Sequence, residues 1–392
     1  MKRLPIILAA GKGTRMRSQL PKVLHPVGGK AMLQHVVDRC ASVADEQLVI
    51  IYGHAGEQVQ TAIQQPTDKT VQWVEQTEQK GTGHAVAQAQ ALIDDDDYVI
   101  IANGDVPLIQ TETLNALANG LAHAELCVLT TILDNPKGYG RIVREGGQVT
   151  QIVEEKDASD EIRHIKEINT GFIAARGQAL KRWLQQLNPN NAQGEYYLTD
   201  CMGLAVAEGR RVTAVVCADS REVEGVNNHV QQARVERYYQ QQQLNALMMA
   251  GLTVYDPARV DIRGELSIGQ DVVVDVNVVF MGRVTLGNHV QIESGGMLKD
   301  CQIVDHVTIK AHSVLEGATV ANHCDIGPFA RLRPNTVLEN HVKIGNFVET
   351  KKSQIGVGSK VNHLSYIGDT QMGADVNIGA GTITCNYDGA NK

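Results

Sequence analysis

Ile268, Val274, Phe280, Leu286, Ile292 and Leu298 stand six residues apart, and nothing else in the chain restricts its fold so sharply. The series extends to Val304. It resumes after a short interruption as Val314, Val320, Ile326, Leu332, Leu338 and Ile344, and closes with Ile355, Val361, Ile367 and, after a slip, Ile378. Gly, Asp or Glu often follows the aliphatic residue, as in Ile268-Gly269, Leu286-Gly287, Ile326-Gly327 and Ile355-Gly356. A small or β-branched residue often sits four positions on, such as Ala318, Cys324, Ala330 and Thr336. One inward aliphatic per six residues suits a narrow prism of short flat strands joined by turns, which is a parallel β-helix. Ordinary hairpins have no reason to hold a six-residue register for so long.

The first 226 residues follow another rule. LPIILAA, EQLVIIYG and DYVIIANGD are short, β-branched and bounded by turn residues, as buried strands are. AMLQHVVDRCASV and GHAVAQAQALI between them carry helical periodicity. Such alternation predicts an α/β domain on a largely parallel sheet, with ligands at the carboxyl ends of strands. LAAGKG and IANGD are exits of that kind. VQQARVERYYQQQQLNALMM has helical periodicity and no Gly or Pro, so it reads as a connecting helix. The expected organisation is therefore a first domain over 1–226, a linker helix over 227–250 and a β-helix over 251–392.

The net charge of −8 argues against broad attraction to nucleic acid. Seven cysteines, an odd number with no Cys-x-x-Cys pair, argue against a disulfide framework or a structural zinc site and fit a reducing cytoplasm. Met1-Lys2-Arg3 before LPIILAA superficially matches a signal peptide. Its apolar run is short, no cleavage site is evident, and a buried first strand is the better reading. No later stretch is long and apolar enough to span a membrane.

Gly11-Lys12-Gly13-Thr14-Arg15 follows the first strand. It is not a dinucleotide fingerprint, because Met16 stands where a third glycine is required, nor is it a Walker loop. The physics is nonetheless shared. Glycines let backbone N–H groups approach phosphate oxygens, Arg15 offers a planar fork, and Lys22 adds a second positive charge.

LAAGKGTRM followed by LPKVLHPVGGK resembles the signature of sugar nucleotidyltransferases. EQTEQKGTGHA, NGDVPL, GYGRIV, VEEKDA, INTGF, GEYYLTD and VEGVNN, with RLRP, ETKKS, VNHLSYIGD and NIGAGTITCNYDG in the second half, resemble the bifunctional N-acetylglucosamine-1-phosphate uridyltransferase/glucosamine-1-phosphate acetyltransferase family. The resemblance covers essentially the whole chain. It implies a Rossmann-like nucleotidyltransferase domain followed by a left-handed parallel β-helix of hexapeptide repeats. It also implies transfer of UMP from UTP to N-acetylglucosamine 1-phosphate, a step in cell-wall precursor synthesis. Leu8, Ala9 and Gly11 would line the uridine end, Arg15 would stabilise the triphosphate, and Lys22 the α-phosphate. Gln76, Gly81 and Thr82 would read the uracil. Asp105 and Asn227 would hold Mg²⁺, and hard oxygen donors suit that ion. Gly140, Glu154, Asn169 and Asn227 would hold sugar and ribose hydroxyls. Glu195, Tyr196, Tyr197 and Thr199 would shape the acetamido pocket. Asn103 is assigned to the substrate pocket, although some relatives carry Tyr there. The run Asp94–Asp97 reads as a solvated loop.

For acetyl transfer from acetyl-CoA to glucosamine 1-phosphate, an ammonium must lose a proton before it can attack. The resemblance selects His363 among 13 histidines as the base, a role suited to an imidazole. Arg333 and Lys351 would bind the sugar phosphate, Tyr366 and Asn377 the sugar. Asn386 and Tyr387 would sit near the attacked carbonyl, and Ala380 near the cofactor. Cys385 reads as a packing residue. Relatives continue beyond GANK through further coils, so impaired acetyl transfer is expected of the chain as it stands. The family also implies a homotrimer with the acetyl site between subunits. Two alternatives stay open: another sugar-1-phosphate nucleotidyltransferase, or a non-catalytic hexapeptide-repeat scaffold.

Overall fold

The computed structural model describes residues 1–392 except Lys12, His54, Tyr387, Asp388, Gly389, Asn391 and Lys392. Two compact units emerge, Met1–Val235 and Glu236–Lys392. The division falls within the long helix His229–Met249.

In the main sheet of the first unit the strands are β1 (Arg3–Ala9), β2 (Gln47–Tyr52), β3 (Thr70–Glu75), β4 (Tyr98–Asn103), β5 (Leu126–Ile132), β6 (Arg141–Glu145), β7 (Gln148–Val153), β8 (Glu167–Arg176) and β9 (Val212–Val216). The sheet runs β9-β5-β8-β4-β1-β2-β3, with β6 and β7 a hairpin attached to β8. Alternate residues of each central strand enter opposite cores, as pleating requires. Ile7, Leu48, Ile50 and Ile100 face one; Ile6, Val49, Ile51, Val99 and Ile101 face the other. Each such fully buried side chain contributes roughly 1.5–3 kcal/mol, which is why these strands read as continuous apolar runs. Helix α1 (Met32–Val43) covers one face through Leu33, Val36, Val37 and Cys40.

Apart from the antiparallel β6–β7 hairpin, the sheet is largely parallel, with one departure on its main path. β8 runs antiparallel to both β4 and β5, and its register with β5 shifts between Asn169 and Ile173. Gly171 occupies that irregularity at φ 83°, where a Cβ would collide with the Asn103 amide. Bulges of this kind re-aim side chains beside functional sites.

The second unit is a left-handed parallel β-helix. One face of the prism stacks Gln291–Ile292, Thr308–Ile309, Asp325–Ile326, Lys343–Asn346, Lys360–His363 and Asn377–Ile378. The two other faces form one continuous sheet, because the long strand Val278–Leu286 pairs with both Met297–Lys299 and Gln302–Ile303. Coil length alternates irregularly: Val279 pairs with Met297, eighteen residues on, but Met297 pairs with Val314, seventeen on.

That irregularity corrects two expectations. Val304 and Val314 are 40% and 37% exposed, whereas Ile303 and Leu315 point inward. A seventeen-residue coil has one corner shorter by a residue, and a one-residue slip moves a side chain to the other face. The inward column Phe280, Leu298, Leu315, Leu332 continues with Thr350. Thr350 is fully buried, and its hydroxyl lies 3.1 Å from that of Thr336.

The corners hold non-glycine residues in the left-handed region, among them His289, His306, His323 and His341 at φ 55–61°. This conformation costs an L-residue roughly 1–2 kcal/mol. The four imidazoles stack with centroids 4.7, 4.7 and 4.8 Å apart, and ring contacts worth ~0.5–1.5 kcal/mol each offset much of that cost. At another corner His312, Phe329 and Phe347 stack in the same way.

Candidate functional site

Gly13 shapes the first site. It sits at φ 60°, and a Cβ on it would lie 2.5 Å from Cβ of Lys22. A bare glycine therefore lets the turns Thr14–Met16 and Lys22–Leu24 close together. Asp105 leaves the end of β4 two residues past Asn103, and Gly104 N–H donates to Leu8 O at 2.9 Å. Val226 N–H donates to Asp105 O at 2.9 Å, which brings Asn227 alongside. Asn227 N–H in turn donates to Gln231 Oε1 at 2.8 Å.

The result is a cluster of two cations and two oxygen donors. Lys22 Nζ contacts Asp105 Oδ2 and donates to Asn227 Oδ1 at 3.2 Å. Arg15 Nη2 donates to the same Asn227 oxygen at 2.8 Å. Lys22 and Asp105 are largely sheltered, with 13% and 19% of their side chains exposed. Burial of this kind strengthens the attraction between the two charges.

A cavity of about 270 Å³ adjoins the cluster. Its walls include Leu8, Ala9, Gly11, Lys22, Gln76, Gly81, Thr82, Asn103, Asp105 and Glu195 from the sequence reading, together with Ala10, Val23, Gln79 and Ala85. Gln79 lies inside the stretch EQTEQKGTG, where nothing in the sequence distinguishes its side chain from the neighbouring polar ones. Gln76 is buried, and its amide nitrogen is oriented by Gly81 O and His84 Nδ1, both 3.1 Å away. Gly81 sits at φ 105°, where a Cβ would fall 2.6 Å from Tyr196 O. The loop before helix α2 (Thr82–Gln88) is thus zipped to Glu195–Leu198: Tyr196 N–H to Lys80 O, Gly83 N–H to Tyr196 O, and Leu198 N–H to Thr82 Oγ1.

Gly140, Glu154 and Asn169 meet in a neighbouring group. Asn169 N–H donates to Gly140 O at 2.9 Å, and Thr199 Oγ1 donates to Glu154 Oε1 at 3.2 Å. Burial raises the Glu154 carboxyl above its ordinary range, against the lowering effect of the Thr199 bond. Tyr197 is buried and accepts from Gln193 at its hydroxyl. The acidic run is only partly a solvated loop. Asp94, Asp95 and Asp96 are exposed, but Asp97 is buried and its carboxylate accepts from Asp94 N–H at 2.8 Å.

Asp105 and Asn227 aim two hard oxygens at one ammonium, a donor geometry that a small dication fits. Among the described residues no group of three or more His, Cys, Asp or Glu could hold a metal. Two protein oxygens, with phosphate and water completing the shell, is how Mg²⁺ is ordinarily held.

In the solenoid, stacking assembles the second group. Arg333 N–H donates to Thr350 O, and Lys351 pairs with Gly368 one coil on, so Arg333, Lys351 and Tyr366 share one face. Arg333 is held by Glu349 at 2.9 Å and Lys351 by Asp369 at 3.5 Å. Asn386 Nδ2 donates to the Tyr366 hydroxyl at 3.2 Å and also contacts Asp369. Asn386, with help from Lys351, draws the Asp369 carboxyl down against the opposing effect of burial. His363 ends a strand of the adjoining face, and its Nδ1 lies 3.1 Å from Asn346 Oδ1. Asn346 was missed, although its spacing of seventeen residues from His363 is one coil. Gly381 N–H, beside Ala380, donates to His363 O at 3.4 Å. Asn377 pairs with Lys360, at the other end of the His363 strand. Cys385 is exposed, which corrects its reading as a packing residue, and Tyr387 lies outside the described residues.

Residues 5–166 match the MobA-like NTP transferase domain, and residues 262–355 match the GMPPB C-terminal domain. A crystal structure of UDP-glucose pyrophosphorylase complexed with UDP-glucose superposes with a TM-score of 0.51 at 17% identity, covering 62% of this chain and 100% of that one. At that identity the likeness concerns the fold alone. Fold and cluster together define a nucleotidyltransferase joined to a hexapeptide-repeat solenoid. The chain is also 54% identical over 388 residues to the bifunctional protein GlmU of Marinobacter nauticus, across 99% of this chain and 85% of that protein. It belongs to the GlmU family of bifunctional uridyltransferase/acetyltransferases. No helix of the described residues is long and apolar enough to cross a membrane.

Proposed function

We propose that the first unit transfers UMP from UTP to N-acetylglucosamine 1-phosphate through the cluster of Arg15, Lys22, Asp105 and Asn227. A phosphate oxygen of the sugar attacks the α-phosphorus of UTP. The new O–P bond forms as the bond to the β-phosphate oxygen breaks, and pyrophosphate leaves. Two anions must approach each other, so positioning and charge neutralisation carry the rate. Arg15 grips the triphosphate by its fork, and Lys22 neutralises the α-phosphate as charge builds. Gly11 presents its backbone N–H. Gln76, Gly81 and Thr82 read the uracil, while Gly140, Glu154 and Asn169 hold the acceptor sugar. Asp105 and Asn227 would hold Mg²⁺, which supplies Lewis-acid polarisation of the phosphate when bound. The observation that carries this reading is the convergence of Lys22 and Arg15 on Asn227 beside Asp105.

The second unit acetylates glucosamine 1-phosphate. His363 takes a proton from the amine, the nitrogen attacks the thioester carbonyl of acetyl-CoA, and the C–S bond breaks to release the thiolate. Asn346 orients the imidazole. Arg333 and Lys351 hold the phosphate, Tyr366 and Asn377 the sugar, and Asn386 stands near the carbonyl, with Ala380 toward the cofactor. A cytoplasmic homotrimer completes the reading. Family membership supports it, as does the exposed edge of Phe329, Phe347 and Leu364 beside His363.

A pyrophosphate-release assay with N-acetylglucosamine 1-phosphate and Mg²⁺, run in parallel with UTP, dTTP and ATP, tests the first activity. Release is expected with UTP at least about tenfold above the others. Equal turnover of dTTP would favour another sugar-1-phosphate nucleotidyltransferase, and no turnover of any would favour a scaffold.

A further inference from the structure

Arg141 is among the largest fully buried side chains of the protein, yet it carries a permanent charge and has no place in the mechanism above. Burying a guanidinium is unfavourable unless every donor finds a partner in good geometry. Here the partners come from three segments. One terminal nitrogen contacts Tyr139 O. Nε and the other terminal nitrogen both reach Arg163 O at 3.3 Å, at the end of the short helix Asp160–Arg163. That second terminal nitrogen also pairs with Glu155 Oε2 at 2.7 Å. Glu155 Oε2 in turn accepts from Gly138 N–H at 3.2 Å. Burial opposes ionisation of Glu155, but the Gly138 bond and Arg141 hold its carboxyl below the ordinary range.

These contacts bracket the acceptor pocket. Gly138, Tyr139 and Gly140 form the loop entering β6, and Glu154 directly precedes Glu155 at the exit of β7. A Cβ at Gly140 would lie 3.4 Å from both carboxylate oxygens of Glu154. Gly140 O accepts from Asn169 N–H, and Arg141 itself pairs with Ile168 of β8. We propose that Arg141, with Glu155, is a positioning residue for the sugar 1-phosphate pocket: it clamps the 138–140 loop against Glu154 and Asn169 without touching the substrate. The inference rests on the reading that Gly140, Glu154 and Asn169 bind the sugar. It explains why Arg141 is buried one residue from Gly140, with its ionic partner Glu155 one residue from Glu154.

Arg141→Lys keeps the charge but not the fork, and Glu155→Gln removes the ionic partner at a partly exposed site. Steady-state kinetics of the full chain, varying each substrate separately, is the measurement. For Arg141→Lys the KM for N-acetylglucosamine 1-phosphate should rise about tenfold, with the KM for UTP within about twofold of the unmodified protein. Glu155→Gln should give the same selective rise, of smaller size. An unchanged acceptor KM in Arg141→Lys, or an equal rise in both KM values, overturns the proposal. Should circular dichroism show that Arg141→Lys does not fold, Glu155→Gln decides on the same two criteria. Asn169→Ala separates the two layers. If it raises the acceptor KM while the clamp variants do not, Arg141 lacks the role; if it does not raise it, the reading of the pocket itself is wrong.

Discussion

The two units build their sites by opposite means. In the α/β unit, Lys22, Asp105 and Asn227 come from three loops separated by 83 and 205 residues relative to Lys22. In the solenoid, the side chains that meet are one coil apart: Asn346 and His363 at seventeen residues, Lys351 and Asp369 at eighteen. A sheet with crossovers concentrates distant residues at one rim, whereas a solenoid lays its site along a ladder in which each coil touches only its neighbours. Chemistry in the first unit depends on global topology, and in the second on local register.

The sharpest way to break this contrast is to remove one charge-handling group from each unit. Asp105→Ala should lower uridylyl transfer by roughly 10³-fold and leave acetyl transfer within about twofold. His363→Ala should lower acetyl transfer by about 10²-fold with uridylyl transfer intact. Separate pyrophosphate-release and free-thiol assays read the two. Reciprocal losses in either variant would mean that the units do not work independently.

A stability pair sharpens the same comparison. Ile101 and Ile309 are both fully buried, and truncation of either to Ala should cost about 2–5 kcal/mol. Ile101 lies in the central sheet, so hydrogen exchange should quicken across the whole first unit. For Ile309 the quickening should stay in the coils that stack on it, Gln291–Ile292 and Asp325–Ile326. Uniform quickening throughout the solenoid would count against nearest-neighbour behaviour.

The smallest effect concerns Glu154. Its carboxyl is raised by burial, so the folded protein keeps this proton to higher pH than the unfolded chain. Between the unfolded value near ~4.3 and the raised native one, stability falls as pH rises, and the full penalty persists above. Glu154→Gln removes that slope. Its melting temperature relative to the unmodified protein should therefore climb from about pH 4 toward neutrality. A difference independent of pH would remove burial as the cause.

How much of this was legible beforehand follows from the same contrast. The strands LPIILAA and DYVIIANGD announced themselves because double-sided burial demands unbroken apolar runs. The antiparallel β8 did not, since EINTGFIAAR has the same composition either way and only the pairing of Ile173 with Ile101 fixes its direction. Six-residue spacing identified the prism, yet misplaced Val304 and Val314 because a shortened corner leaves no trace in hydrophobicity. Asp105 and Asn227 could be paired through a family signature alone. Neither composition nor spacing hints that a single lysine ammonium joins them, nor that the polar Arg141 belongs in the interior.

The stacking of coils also fixes a unit of length. Neighbouring strands lie ~4.8 Å apart, so Arg333 and Lys351 stand one coil step apart, while the Asn386-bound Tyr366 lies one coil further on and two residues back along its strand, in register with Glu349. Any molecule gripped by Arg333 and Lys351 is gauged by that step, and its charged groups must match the interval. Moving a functional group to the neighbouring coil at the same register therefore shifts it by one such step, whereas moving it along its strand shifts it across the face.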